Sequence, residues 1–454
     1  MLSAFQNMLK VKDLRQKLLY TIWIIVLVRV LKNVPIPGID LNILDGIMEY
    51  FKDQSESANK LVGMANIFSG GALQKLAIGV LGIMPYITAS IIMQLMTPVF
   101  PHLEKLQKDG SHGRQKINQY TRYMTIVICA VQSAMMAIAM HNPTSLLGVP
   151  AEFNELVINK GTAFVIQTTI IVTASAILIM WLGEQITDKG LGNGASIIIT
   201  INVLSSMPQA FASVYSKYQE GEWNLVQILV VAGLLFIVTA ATVALVQGMR
   251  KIPLKYARDA ASRNAMTEKT SYLPLKVNHA GVMPIIFASA LMMFPPMIIG
   301  KIGGEFAQVV APWFTFGSVP FLIIEGVLIL VFTFFWVATQ FNPIQISDDL
   351  NRSGAFIPGH RPGEPTSKFL NDTMTRITVA GAIFLVILAL LPYVLMNSVG
   401  SGATDFIITQ FFGGTSLLIM VGVVLQTMQQ IEVQLVQNNY DGFITGGRLR
   451  SRRG

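Results

Sequence analysis

Ten stretches of about 20 residues are almost free of charge, and that decides the solvent in which this chain folds. They run over residues 18–34, 76–98, 118–140, 162–183, 196–215, 225–248, 280–300, 319–341, 375–396 and 413–435. At about 1.5 Å per residue, a helix of that length reaches across a hydrocarbon core of about 30 Å. Only 13% of the 454 residues are charged, about half the share of a soluble chain. The expected fold is an all-α polytopic membrane protein of ten transmembrane helices. The fifth span is the weakest, because Asn202, Pro208 and Gln209 interrupt it. Residues 1–17 are short and basic, and the apolar stretch behind them is long enough to span, so no cleaved signal peptide is expected.

One segment occurs twice. Residues 82–90 read Gly-Ile-Met-Pro-Tyr-Ile-Thr-Ala-Ser and residues 281–289 read Gly-Val-Met-Pro-Ile-Ile-Phe-Ala-Ser, identical at six of nine positions. The copies fall on the second and seventh spans, and five crossings reverse a chain's direction. That is the mark of two inverted pseudosymmetric halves around a central pore: residues 18–215 and 225–435. Ile83 and Ile87 share a helix face, with Pro85 expected to loosen the backbone between them. Ile286 holds in the second copy the place that Ile87 holds in the first. Gly79 and Gly82 permit close helix approach. A ring of branched aliphatic side chains resists wetting, yet parts around a passing chain.

Charge sets the expected orientation. Six alternate segments (1–17, 101–122, 184–195, 250–276, 342–376 and 436–454) hold 25 of the 33 basic residues, whereas the acids divide evenly. Lys and Arg collect on the cytoplasmic side, which puts both termini there. Loops 250–276 and 342–374 exceed ordinary connections and contain turn-fixing Pro and Gly, so they read as docking surfaces for a cytosolic partner. On the other side, residues 61–73 are moderately apolar but too short to cross, and are expected to form a buried re-entrant half-helix.

No catalytic signature is present. Gly300-Lys301 is followed by Ile302, so there is no Walker lysine, and His102, His112, His141, His279 and His360 lack metal-ligand spacing. No cofactor, metal or enzymatic activity is expected. Cys129 is the single cysteine. Coupled transporters place ionisable groups deep in their spans; here Arg29 and Glu325 are read as the charges within spans, each near an external end. A small-solute transporter with inverted repeats is the alternative to a polypeptide channel.

Several motifs then fix a resemblance: Phe68-Ser-Gly-Gly-Ala-Leu73, Gly82-Ile-Met-Pro-Tyr-Ile-Thr-Ala-Ser90, Gln119-Tyr-Thr-Arg-Tyr123, Met180-Trp-Leu-Gly-Glu-Gln-Ile-Thr187, Gly192-Asn-Gly194, Leu273-Pro-Leu-Lys-Val-Asn278, Gly354-Ala-Phe-Ile-Pro-Gly359, Arg361-Pro-Gly-Glu364 and Phe412-Gly-Gly-Thr-Ser-Leu-Leu-Ile419. In order and spacing the chain resembles the bacterial SecY family from about residue 18 to 440. The basic tail, 436–454, lies largely beyond the match.

The resemblance implies a protein-conducting channel of the cytoplasmic (inner) membrane that passes unfolded secretory polypeptides and releases transmembrane segments sideways into lipid. It implies a pore constriction at Ile83, Ile87, Ile199, Ile286 and Ile419. The lateral gate for signal sequences would carry Gln94, Asn278, Pro85 and Pro284. The plug would be 61–73, including Asn66, Phe68, Ser69, Gly70 and Gly71. Arg361, Arg263 and Arg258 would meet a SecA-type ATPase or the ribosome. Small SecE-like and SecG-like membrane subunits, nascent chains and the lipid bilayer complete the implied partners. The chain departs from the family pattern at Asn264, His279, Gln345 and Asn351-Arg352.

Overall fold

A computed structural model describes residues 11–54, 69–143, 150–158, 161–221, 223–256, 271–302, 310–314, 318–399 and 414–446. The chain divides into two compact units, 1–212 with 423–454, and 213–422. Asn66, Phe68, Arg258 and Arg263 lie outside the described residues.

In the first unit the helices are α1 (Lys12–Leu31), α2 (Leu41–Gln54), α3 (Met84–Met96), α4 (Pro101–Lys108), α5 (Gly110–His141), α6 (Thr162–Lys189) and α7 (Gly194–Ser205). Helix α8 (Met207–Gln219) follows and crosses the unit boundary. The interrupted fifth span is thus two helices meeting at Ser206, with Pro208 in the first turn of the second, where its missing N–H costs nothing. Helices α5 and α6 pack side by side, joined midway by a 2.7 Å hydroxyl pair between Ser133 and Thr173.

The second span departs most from expectation. Residues 76–83 are not helical; α3 begins only at Met84 and is 13 residues long. Gly82 sits at φ +56°, outside the right-handed helical region, and Pro85 occupies the first turn of α3. Pro85 therefore starts a helix instead of loosening one. The preceding backbone pairs with the segment after α1, through Ile36 N to Leu76 O at 3.0 Å and Gly79 N to Leu31 O at 3.1 Å. Gly79 has to be small there: a Cβ would lie 3.0 Å from the Leu31 carbonyl oxygen. Ile36, Leu44, Ala72, Leu76, Val80, Leu156 and Phe164 join in one buried core that packs this irregular backbone.

The second unit contains α9 (Leu225–Gln247), α10 (Met283–Ile302), α11 (Val319–Gln340), α12 (Pro343–Arg352) and α13 (Glu364–Val399); α14 (Gly414–Gly446) crosses the boundary. Its core gathers Val238, Ile285, Ile329, Leu385 and Leu418 from five helices. The helical class holds, with one addition: β1 (Met249–Tyr256), β2 (Ser271–Lys276) and β3 (Ala355–Phe356) form an antiparallel sheet in the order β2-β1-β3. Pro253 is tolerated in the middle strand because β3 pairs only with Lys255 and Tyr256, beyond it.

Among the described residues, seven helices are long and apolar enough to cross a membrane. Their outward faces are greasy: Val319, Ile323, Val327 and Val331 follow one another at four-residue steps on α11, all more than half exposed. A helix facing water shows polar residues there. Buried hydroxyls on these helices bond to the carbonyl one turn back, as Thr125 does to Thr121 (2.7 Å) and Thr242 to Val238 (2.8 Å).

Candidate functional site: the repeated helix starts and the segment before them

Both copies of the repeat fold alike locally. Gly281 has φ +67°, matching Gly82, and α10 begins two residues later with Pro284 in its first turn. Ile87 N donates to Ile83 O at 3.2 Å, and Ile286 N donates to Val282 O at 3.4 Å. Each copy is therefore a left-handed glycine, a first turn containing proline, and an aliphatic residue one turn in. Pro85 and Pro284 are both buried.

The five isoleucines are all buried. Ile83, Ile87 and Ile199 are 2%, 6% and 4% exposed in the first unit, and Ile286 and Ile419 are 3% and 2% in the second. Ile83 and Ile198 close over Gly183 of α6, where a Cβ would lie 3.1 Å and 3.3 Å from their Cδ1 atoms. Ile199 follows the Gly192-Asn-Gly194 turn, in which the Asn193 side chain accepts from Ser196 N at 3.2 Å and caps α7. That glycine-rich stretch is a helix cap.

The expected gate polar residues differ in setting. Gln94 is exposed and donates to Ser90 Oγ at 3.2 Å. Asn278 is 8% exposed, and its Oδ1 has no hydrogen-bond partner among the described residues. His279 beside it meets Phe341 edge-on, with ring centroids 5.9 Å apart. Burial first, and the Lys276 charge second, hold its imidazole below the usual histidine range.

Of the plug residues, Ser69, Gly70 and Gly71 are described. Both glycines have positive φ, +68° and +87°. Ser69 Oγ accepts from Leu73 N at 3.2 Å. Two cations from the end of α1 reach this turn: Lys32 Nζ donates to Ser69 O at 2.8 Å, and Arg29 Nη1 to Gly70 O at 3.1 Å. Lys32 also donates to Asn202 Oδ1 of α7. Lys32 belongs to the first drawn span, a charge that the reading of Arg29 and Glu325 left out, and it is 2% exposed. The signal for it was Asn202, a polar side chain inside a span that needs a partner.

The long loops of the second unit are built, not slack. In β1, Ile252 and Leu254 face in while Lys251 and Lys255 face out, and Lys276 of β2 is exposed too, which gives the sheet a basic outer face. Gly354 before β3 and Gly359 and Gly363 after it all have positive φ, and the turn after β3 is held by Ser347 Oγ donating to Gly363 O at 2.7 Å and by His360 stacked on Phe369 at 4.0 Å. Arg361 stands exposed on that turn. In the first unit, Arg122 of the Gln119–Tyr123 motif pairs with Glu184 of the Met180–Thr187 motif at 2.7 Å.

Comparison with known proteins places these features in a family. The SecY family model matches residues 77–428. Protein translocase subunit SecY of Chlamydia muridarum is 38% identical with full coverage of both chains. That of Streptomyces galbus is 41% identical, covering 98% of this chain and all of the relative. Escherichia coli K12 SecY is 37% identical, covering 96% and 95%. A solved structure described as a protein conducting channel superposes with a TM-score of 0.61 at 17% identity, covering 93% of this chain and 92% of that one. Sec61 in the canine ribosome-channel complex gives 0.57 at 16% identity with the same coverages. The helices are those of a multi-pass membrane protein, and on the strength of end-to-end matches the chain belongs to the SecY family.

Proposed function

We propose that this chain is the conducting subunit of a protein translocase: it passes unfolded secretory polypeptides across the bacterial inner membrane and lets transmembrane segments out into lipid. The observation that carries this reading is the pair of like-folded helix starts, each presenting a buried isoleucine one turn in, within a chain of the SecY family. Ile83, Ile87, Ile199, Ile286 and Ile419 act together as an apolar seal. Helices α3 and α10, with Gln94, Asn278, Pro85 and Pro284, form the gate at which a signal sequence docks, and 61–73, with Asn66, Phe68, Ser69, Gly70 and Gly71, is the plug. Chemistry is left to partners: a SecA-type ATPase or the ribosome engages the basic sheet face and Arg361, with Arg258 and Arg263 at the neighbouring tip. SecE-like and SecG-like subunits brace the helices. Both termini are cytoplasmic, in keeping with the Lys/Arg bias.

A stalled secretory precursor, challenged with photo-crosslinkers at positions 83, 199 and 286, gives adducts at all three. Adducts at none of them, with crosslinking retained at exposed loop positions, refutes the channel reading.

A further inference from the structure

A lysine at the end of a membrane span ordinarily runs its stem along the helix and puts its ammonium into water. Lys32 turns inward. It follows α1, is 2% exposed, and lies against the glycines of the irregular segment: its Cγ is 3.3 Å from where a Gly79 Cβ would stand, and its Nζ 3.7 Å from that of Gly82. A buried ammonium is tolerated only when acceptors surround it. Here they are the Ser69 carbonyl oxygen and the Asn202 side-chain oxygen. Arg29, three residues earlier and so on the same helix face, takes the next carbonyl, Gly70 O. Consecutive carbonyls of one turn thus bond to Arg29 of α1 and to Lys32 just after it, and α7 supplies the third side of the clamp.

The turn is also shaped for that clamp. A Cβ at Gly70 would stand 2.9 Å from Asn202 Oδ1 and 3.2 Å from the Asn202 backbone, so the fit requires glycine even before its φ of +68° is considered. One residue on, Gly71 has open space around it. All these contacts lie within the first unit.

We propose that Lys32, with Asn202 and Arg29, is a latch on the Ser69–Gly70 turn that sets how much a signal sequence must contribute before that turn moves. This rests on the plug reading above, and deepens it. Moving the turn withdraws the Ser69 carbonyl from a buried charge, so the closed state is favoured by the largest class of hydrogen bond in the region. The latch is a selectivity-determining residue set: a weak signal fails to release it and a strong one succeeds.

The test uses the whole channel with its partner subunits in membrane vesicles. Lys32→Met keeps the apolar stem and removes the donors; Asn202→Ala removes one acceptor. Each is read for resting ion leak and for export of a precursor with a defective signal, relative to one with an intact signal. Lys32→Met is expected to raise both by about tenfold or more, as loss of a charged hydrogen bond implies. Asn202→Ala gives a smaller rise, and the double variant adds little to Lys32→Met, since the two act on one network. A parallel channel lacking residues 61–68 separates the possible failures. If that deletion loosens the channel but Lys32→Met and Asn202→Ala leave leak and selectivity at parent values, the latch is overturned and the plug survives. If the deletion changes nothing either, the plug reading itself fails. Should Lys32→Met not accumulate in the membrane, Asn202→Ala decides: parent values for it overturn the latch.

Discussion

His279, next to the proposed gate residue Asn278, carries a stability cost that pH exposes. Its ring is half-buried against Phe341, three residues after Lys276, and both surroundings disfavour the imidazolium. The folded chain therefore releases this proton more readily than the unfolded chain, whose histidine titrates near 6.5. With the unfolded state binding more protons, stability rises with pH through this window, is complete above about 6.5, and is lost as pH falls below it. The melting midpoint of the purified protein should fall from pH 7 to pH 5 by more than that of His279→Met, in which nothing titrates. Equal slopes would mean that the ring reaches water and bears no such cost. Lys32 teaches the complementary lesson about legibility. In sequence, a lysine closing a span looks the same whether its ammonium reaches water or turns in. The deciding partner is Asn202, 170 residues away, and only the fold brings them together. Ile87 and Ile286 are marked in the sequence by the repeat, and Ile199 and Ile419 only by the family resemblance; neither marks Lys32.

At the scale of the element, the repeated segment is a helix start with defined parts. The glycine's positive φ ends the irregular approach, and proline in the first turn presets the helical φ without surrendering a hydrogen bond. The two residues should therefore respond to different extents. Gly82→Ala and Gly281→Ala meet no close atom, the nearest being Lys32 Nζ at 3.7 Å from the first and nothing within 4 Å of the second. Their cost is the left-handed backbone alone, about 1–2 kcal/mol each. Pro85→Ala and Pro284→Ala leave the helix start intact and lose mainly unfolded-state restriction, about 0.4–1 kcal/mol. Thermal unfolding in detergent measures both pairs. A larger loss at the prolines than at the glycines would show that proline bends these helices from within. The existence of helices in the spans followed from apolar length alone. Their boundaries did not: residues 76–83 are as apolar as the helix they precede, and what excludes them is the positive φ of Leu76 and Gly82 together with pairing to residues 31–36. The hairpin of β1 and β2 was hidden for another reason. Its alternation of Lys251, Ile252, Pro253, Leu254 and Lys255 is short, and its prolines argue against a strand wherever both edges must pair.

Across the whole molecule, the question is whether a signal sequence carries enough free energy to open a sealed channel. An apolar core of about ten residues gains roughly 0.5 kcal/mol per residue on entering lipid, ~5 kcal/mol in all. Moving a two-state channel from about 1% open to 99% open requires about 5.5 kcal/mol. The two magnitudes nearly match, so opening is poised: a seal weakened by about 1–2 kcal/mol changes which signals suffice by about tenfold. The isoleucines are the place to test this, because a dry aliphatic ring gates by resisting water, and one polar side chain gives water a foothold. Ile87 and Ile286 occupy equivalent positions in the two copies, each one turn into its helix and each buried, at 6% and 3% exposed. If both copies contribute to one seal, Ile87→Asn and Ile286→Asn should each raise resting ion leak and admit precursors with weakened signals by about tenfold. The double variant should then exceed either alone. Ile87→Leu, similar in volume and equally apolar, should stay near the parent. Conductance traces and export assays on the same vesicles supply both readouts. Were Ile87→Asn to loosen the channel while Ile286→Asn left it tight, only one arm of the repeat would form the barrier, and the symmetric seal would have to be abandoned.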